Sequence, residues 1–329
     1  MNAKPAERAT AEESADETTA TTATGVETVP VGDGRTVAYA EYGATVGERD
    51  DSGTGTSEET GTTDEETDPT PVALFHGTPG SALLGELYAE EARRRGVRLL
   101  AIERPGYGDS TPWSDRTPTD AAEYLRAVLA DAGVSRVGLV AFSGGAAHAL
   151  AVGATCDELV REIDLVSGSV PPSLADETPA AIRLLGTLAE RTPRALRGLL
   201  GVQAWLAERG SASVVVGQYT ADTSEIPAEE TEVVRREFVR ALDGRAEGMR
   251  TESAQAVREW DFALADVTVP VRLWHGADDQ NVPVAGARRV GEELPNAETR
   301  VFEDEDHLTT LLGSRSEVID RQASSGGKV

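Results

Sequence analysis

From Pro71 onward, short unbroken apolar runs alternate with longer stretches whose apolar positions recur every three or four residues. The runs are Val72–His76, Val97–Glu103, Val137–Phe142, Ile163–Ser167, Val269–His275 and Thr299–Phe302. They do not alternate with polar residues, as strands buried on both faces of a parallel sheet should not. Between them lie the helical stretches Leu83–Arg95, Thr119–Ala132, Ala146–Ala154 and Val284–Leu294. The segment Thr117-Pro118-Thr119-Asp120 places a capping threonine, a proline at the first helical position and an acid at the third. Alternation of strand and helix predicts an α/β domain with a doubly wound, mostly parallel sheet. The alternation stops between Pro171 and Asp266, where four amphipathic helices follow one another: Ala180–Glu190, Ala195–Glu208, Ala228–Leu242 and Thr251–Arg258. A connection of that length is a subregion of its own. Its most apolar part, Ala195–Leu206, fits a lid over a site better than a membrane-surface helix. Ahead of the alternation, Thr28–Val31, Asp33-Gly34 and Thr36–Ala40 read as a β-hairpin.

Composition divides the chain further. Residues 1–26 and 46–70 are rich in Ala, Thr, Gly, Asp and Glu and poor in large apolar side chains, so neither stretch buries enough surface to offset its ordering entropy. The expected organisation is a disordered acidic segment over 1–26 and a core over 27–170 that carries a disordered insertion at 46–70. A helical lid over 171–266, the rest of the core over 267–320 and a flexible tail over 321–329 follow. The 329 residues hold 57 acids against 31 bases, for a net charge of −26, and only Lys4 and Lys328 are lysines. Nucleic-acid binding needs clustered positive charge, so that class is excluded. The balance instead suits a solvent of high salt, where a Debye length of about 3 Å at 1 M screens carboxylate repulsion. Folding and activity are expected to need roughly molar KCl or NaCl. Equal thermal stability at about 0.1 M and at molar salt would exclude this. The single cysteine, Cys156, rules out an intrachain disulfide and suits a reducing compartment. The N-terminus lacks a basic and then apolar leader, and no run of about 18 apolar residues occurs. A cytoplasmic protein with no membrane span is expected; the pattern specifies no oligomeric state.

Chemistry gathers where strands end. After Val137–Phe142 comes Ser143-Gly144-Gly145 and then a run of small helix formers. This is the form of a nucleophile elbow, in which a serine sits on a sharp strand-to-helix turn. Gly144 N–H would open the following helix and donate to a developing oxyanion. His76-Gly77-Thr78-Pro79-Gly80-Ser81 follows the first core strand, and Thr78 N–H would be the second donor. That loop lacks the Gly-Lys-Ser/Thr of a phosphate loop. Asp278 and Asp279 follow the strand that ends at His275, and His307 follows the last strand. An acid there can orient a histidine, and a histidine there can serve a serine as base. Each feature alone has an ordinary reading: a glycine turn, a helix-capping aspartate, a surface histidine. Together they arrive in the order Ser, Asp, His, each just after a strand. His148, one helical turn beyond the elbow, reads as a packing or pocket residue, and His76 as a shaper of its loop. Four scattered histidines give no metal spacing, and neither metal nor cofactor is expected.

Over roughly Glu27–Asp320 the chain resembles the α/β-hydrolase fold superfamily. The resemblance is densest in His76–Ser81, Arg104-Pro105-Gly106-Tyr107-Gly108-Asp109-Ser110, Ala141–Gly145, His275–Pro283 and Asp306–Leu308. It implies Ser143 as nucleophile, His307 as base and Asp279, in an Asp-x-x-Val-Pro segment, as the orienting acid. The Arg104–Ser110 segment would frame the site entrance in a mainly structural role. Ala141 departs from the family's Gly-x-Ser-x-Gly, and the two acidic stretches have no counterpart. Dehalogenases and epoxide hydrolases of this fold carry aspartate where Ser143 stands, which argues against their chemistries. The expected activity is hydrolysis of a small or medium ester with an apolar acyl or alcohol part, through an acyl-enzyme. Peptidase, thioesterase, perhydrolase and carbon–carbon hydrolase activities stay open, as does a non-catalytic ligand-binding protein on the same scaffold.

Overall fold

The computed structural model describes residues 24–45, 68–243 and 246–326. Eight strands form one sheet: β1 (Thr24–Val31), β2 (Arg35–Gly43), β3 (Thr70–Phe75), β4 (Val97–Glu103), β5 (Val137–Phe142), β6 (Val160–Val166), β7 (Val271–Gly276) and β8 (Ala297–Phe302). Their spatial order is β1-β2-β4-β3-β5-β6-β7-β8. The β1–β2 and β2–β4 pairs are antiparallel and every later pair is parallel. The doubly wound arrangement follows from the unbroken apolar runs, because alternate residues of each run feed opposite layers. Val72, Leu74, Leu99, Val140 and Phe142 point into one layer, against helices α1 (Glu86–Arg94) and α10 (His307–Gly326). Ala73, Phe75, Leu100, Leu139 and Ala141 point into the other, against α2 (Ala121–Asp131), α3 (Gly145–Thr155) and α9 (Val284–Glu293).

Between β6 and β7 the chain is helical, as the loss of alternation predicted. The helices are α4 (Ala180–Arg191), α5 (Pro193–Arg209), α6 (Ala212–Val216), α7 (Ala228–Leu242) and α8 (Glu247–Gln255). No helix among the described residues is long and apolar enough to cross a membrane.

Three expected boundaries move. The hairpin begins at Thr24, inside the segment expected to be disordered to residue 26, because backbone pairing of Val26 with Ala40 needs no buried side chain. The strand β3 begins at Thr70, the last residue of the expected insertion. At the C-terminus the tail expected from 321 continues α10 to Gly326. Gln322 accounts for this: its buried amide donates to Asp164 Oδ2 at 2.6 Å, tying the helix under the sheet. The rest of the expected disordered segments, 1–23 and 46–67, and residues 327–329 lie outside the described residues.

Candidate active site

Ser143 follows β5 with φ at 49°, a left-handed backbone that a non-glycine residue adopts only under constraint. Its amide donates to Val166 O at 3.0 Å, and its own carbonyl accepts from Ser169 N–H at 2.9 Å. The strained residue is thus held on both sides by the β6 end. The turn is tight enough to require glycines after it. A Cβ on Gly145 would stand 2.6 Å from Phe75 O, and one on Gly144 would stand 2.2 Å from Thr78 Oγ1. The departure at Ala141 is harmless, because its methyl is wholly buried in β5 among the core side chains of the second layer.

The Ser143 hydroxyl lies 3.0 Å from His307 Nε2, and His307 Nδ1 lies 2.7 Å from Asp279 Oδ2. His307 is the first residue of α10 and is 1% exposed, pressed between Phe142 and a stacked Tyr219 ring. The other oxygen of Asp279 accepts the Asn281 and Val282 amides at 2.9 and 2.8 Å. That leaves its Oδ2 aimed at the imidazole. Asp278, its neighbour, is exposed and makes no side-chain bond among the described residues. Beneath Asp279, His275 places Nε2 2.7 Å from Val282 O, and burial lowers its basicity, so its ring is neutral and carries its proton on Nε2. The backbone N–H groups of Thr78 and Gly144 have no partner among the described residues. Both residues border the same cavity as Ser143, with a volume of about 880 Å³. All five residues expected to form the site are therefore brought together.

A model of the alpha/beta hydrolase family matches residues 72–321, about three quarters of the chain. The chain belongs to the alpha/beta hydrolase family.

Within that family it is 28% identical over 266 residues to the non-heme chloroperoxidase CPO-A1 of Kitasatospora aureofaciens, covering 76% of this chain and 90% of that one. A 2-hydroxy-6-oxononadienedioate/2-hydroxy-6-oxononatrienedioate hydrolase of a Pseudomonas species is 25% identical over 238 residues, 70% of this chain and 79% of its own length. Among solved structures, a bromoperoxidase from Bacillus anthracis superposes with a TM-score of 0.65 at 17% identity, over 91% of this chain and all of the other. The family and the solved structures are matched here in fold.

One part of the site was not legible in the sequence. Glu252, on α8, is 4% exposed and collects five side chains. Arg104 grips both its oxygens at 2.7 Å, and Arg116 reaches Oε1 at 2.7 Å. Thr78 and Tyr107 donate to Oε2 at 2.6 and 2.9 Å, and His148 Nε2 stands 3.4 Å from Oε1. Burial alone would raise this carboxyl, but the two guanidinium charges outweigh it and hold it well below the usual carboxylate range. Burial pushes His148 down to about 4, so it is neutral at pH 7. His76 is neutral for the same reason; it spans Gly77 O at 2.8 Å and the Arg104 amide at 3.2 Å, shaping its loop as expected. The Arg104–Ser110 segment does more than frame an entrance: its arginine is fully buried beneath the Thr78 loop.

A second buried carboxyl behaves oppositely. Burial pushes Glu237 up to about 8, against the pull of the Ser81 N–H and the Arg104 charge. It is protonated in the folded protein at neutral pH and ionised in the unfolded chain. Its contribution to stability is full below the unfolded carboxyl pKa and is lost as pH rises through about 8. Glu237→Gln keeps the acceptor for Ser81 N–H, 3.0 Å away in the parent. Thermal melts should show the variant gaining on the parent by several kcal/mol between pH 5 and pH 9; parallel curves for the two would count against a buried, protonated Glu237.

Proposed function

We propose that the protein is a serine hydrolase acting on carboxylic esters. Ser143 is the nucleophile, His307 takes its proton, and Asp279 fixes the imidazole tautomer and balances the imidazolium. Thr78 and Gly144 N–H groups receive the oxyanion, and water, activated by the same histidine, releases the acid. The observation that carries this reading is the continuous relay of 3.0 and 2.7 Å from the Ser143 hydroxyl through His307 to Asp279. The helices between β6 and β7 act as a lid over residues 171–266. The cavity wall includes Val170, Ile182, Leu185, Tyr219, Met249 and Trp260, which favours an apolar acyl or alcohol part of small or medium size. The net charge of −26 supports the reading of a cytoplasmic enzyme from a salt-loving cell.

The test is labelling with a fluorophosphonate at molar salt, with the modified peptide mapped. Labelling at Ser143 that is lost in Ser143→Ala supports the reading; a folded protein that resists the probe is a binding protein on this scaffold. A chain-length series of p-nitrophenyl esters then reads the cavity. The similarity to a chloroperoxidase and to a 2-hydroxy-6-oxononadienedioate/2-hydroxy-6-oxononatrienedioate hydrolase supports parallel assays for perhydrolase and carbon–carbon hydrolase activity.

A further inference from the structure

The loop that carries the Thr78 N–H is held from below. Arg104 donates to His76 O, to Gly77 O at 2.9 Å and to Thr78 Oγ1 at 3.2 Å. Arg104 is wholly buried, so carbonyls that bind it face the protein interior. A loop whose carbonyls are turned inward presents its free N–H groups to the cavity, as a developing oxyanion requires. Arg104 does not hold this position alone. Its planar fork is fixed by the two oxygens of Glu252, and Glu252 also binds the Thr78 hydroxyl directly. Tyr107 and Arg116 complete the carboxylate's shell. Glu252 belongs to α8, which lies in the helical segment after β6, 148 residues beyond Arg104 along the chain. The helix is seated by its backbone, with Gly248 N–H on Gly106 O at 3.0 Å.

We propose that Glu252 is a positioning residue for the oxyanion loop, so that the helical segment sets the donor geometry at Ser143 as well as walling the cavity. The proposal rests on the serine-hydrolase reading above. In this role Glu252, which also borders the cavity, acts on the reaction only through the loop; what depends on it and on Arg104 is the place of the Thr78 N–H when charge develops. A misplacement of about 1 Å costs on the order of 10²-fold in rate, and loss of one oxyanion donor costs about 10²–10³-fold in kcat. The effect belongs to kcat, because an interaction made only in the transition state leaves KM in place.

The test uses the full chain at molar KCl, with p-nitrophenyl butyrate as the probe ester and phenylboronic acid as a tetrahedral mimic. Glu252→Asp keeps the charge balance against Arg104 and Arg116, but its carboxylate is one methylene short of Thr78 and Arg104. It should lower kcat about 10²-fold with KM within about threefold. Affinity for the boronate should fall by the same factor as kcat. Glu252→Gln should lower kcat at least as much. A folded Glu252→Asp with parental kcat and boronate affinity overturns the proposal, as does a rise in KM with kcat preserved, which would make Glu252 a substrate ligand. If neither variant folds, Tyr107→Phe removes one donor to Oε2 and keeps the ring. A kcat loss of about three- to tenfold at constant KM is then expected, and no loss overturns. Fluorophosphonate labelling of the parent separates the two levels. A parent that labels at Ser143 while Glu252→Asp stays fully active sinks this proposal alone. A parent that does not label sinks the hydrolase reading and this proposal with it.

Discussion

Asp279→Asn is expected to lower kcat by about 10⁴-fold while the protein stays folded, and Asp278→Asn to keep most of the parent's turnover. The two residues are adjacent and chemically identical, so the difference isolates geometry. Asp279 Oδ2 sits 2.7 Å from His307 Nδ1, while its Oδ1 is spent on the Asn281 and Val282 amides. An asparagine there can turn its NH₂ toward Nδ1, which then becomes the acceptor and leaves the proton on Nε2, facing Ser143. The histidine is then a donor where a base is needed, and the imidazolium loses its counter-charge. Asp278 is exposed, and its loss removes no bond to the site. Steady-state kinetics on a p-nitrophenyl ester, with circular dichroism to verify folding, read both variants. A dead Asp278→Asn beside an active Asp279→Asn would transfer the acid's role; two active variants would remove the acid from this loop.

Gly144→Ala should cost about 10²–10³-fold in kcat, the loss expected when an oxyanion donor is displaced. The backbone at Gly144 is ordinary right-handed helix, so alanine brings no strain of its own. The cost comes from the neighbour. A methyl there would stand 2.2 Å from Thr78 Oγ1 and 2.8 Å from Thr78 Cβ. Thr78 cannot retreat easily, because its hydroxyl is bonded to both Glu252 and Arg104. The two N–H groups must therefore part. Acyl-enzyme formation, followed by the p-nitrophenolate burst, should slow by that factor with KM nearly constant; a parental burst rate would show that neither amide is displaced.

The sheet was legible because its strands are apolar without interruption, and the site was legible because its residues stand at strand ends. Ser143 comes directly after β5, Asp279 three residues after β7 and His307 five residues after β8. Local order along the chain thus encoded their meeting. The choice of Asp279 over Asp278 was not encoded in periodicity, since a turn erases it; the family resemblance made that choice, and the structure shows the corresponding bond. Glu252 could not be found this way. Its partners lie up to 174 residues distant, and the helix around it reads simply as amphipathic. Its neighbours along these helices do not mark it out: Glu232, Glu237 and Glu247 have an arginine three residues on, but Glu229, Glu230 and Glu252 do not. No pattern marks α10: its segment reads as the end of the core with a tail from residue 321, and the Gln322–Asp164 bond shows why the helix runs on into that tail.

The five helices after β6 are not attached alike. The α7 helix is fastened to the core through Arg236–Glu86, Arg240–Glu103 and Glu237–Ser81, and α8 through Glu252. The α4 helix packs on α8, and α5 and α6 pack on α7, with Leu184, Leu199, Val202, Trp205, Leu206 and Val214 left exposed on this outer tier. Opening free energies should therefore be graded. In hydrogen–deuterium exchange, amides of α7 and α8 should lag with those of the sheet, and amides of α4 to α6 should exchange first. Ile182, Leu185 and Ala189 of α4 border the cavity and so does α8, so the cavity has one wall that yields first and one that stays. Entry and release can then proceed through the outer tier while the inner one keeps the loop above Arg104 in shape.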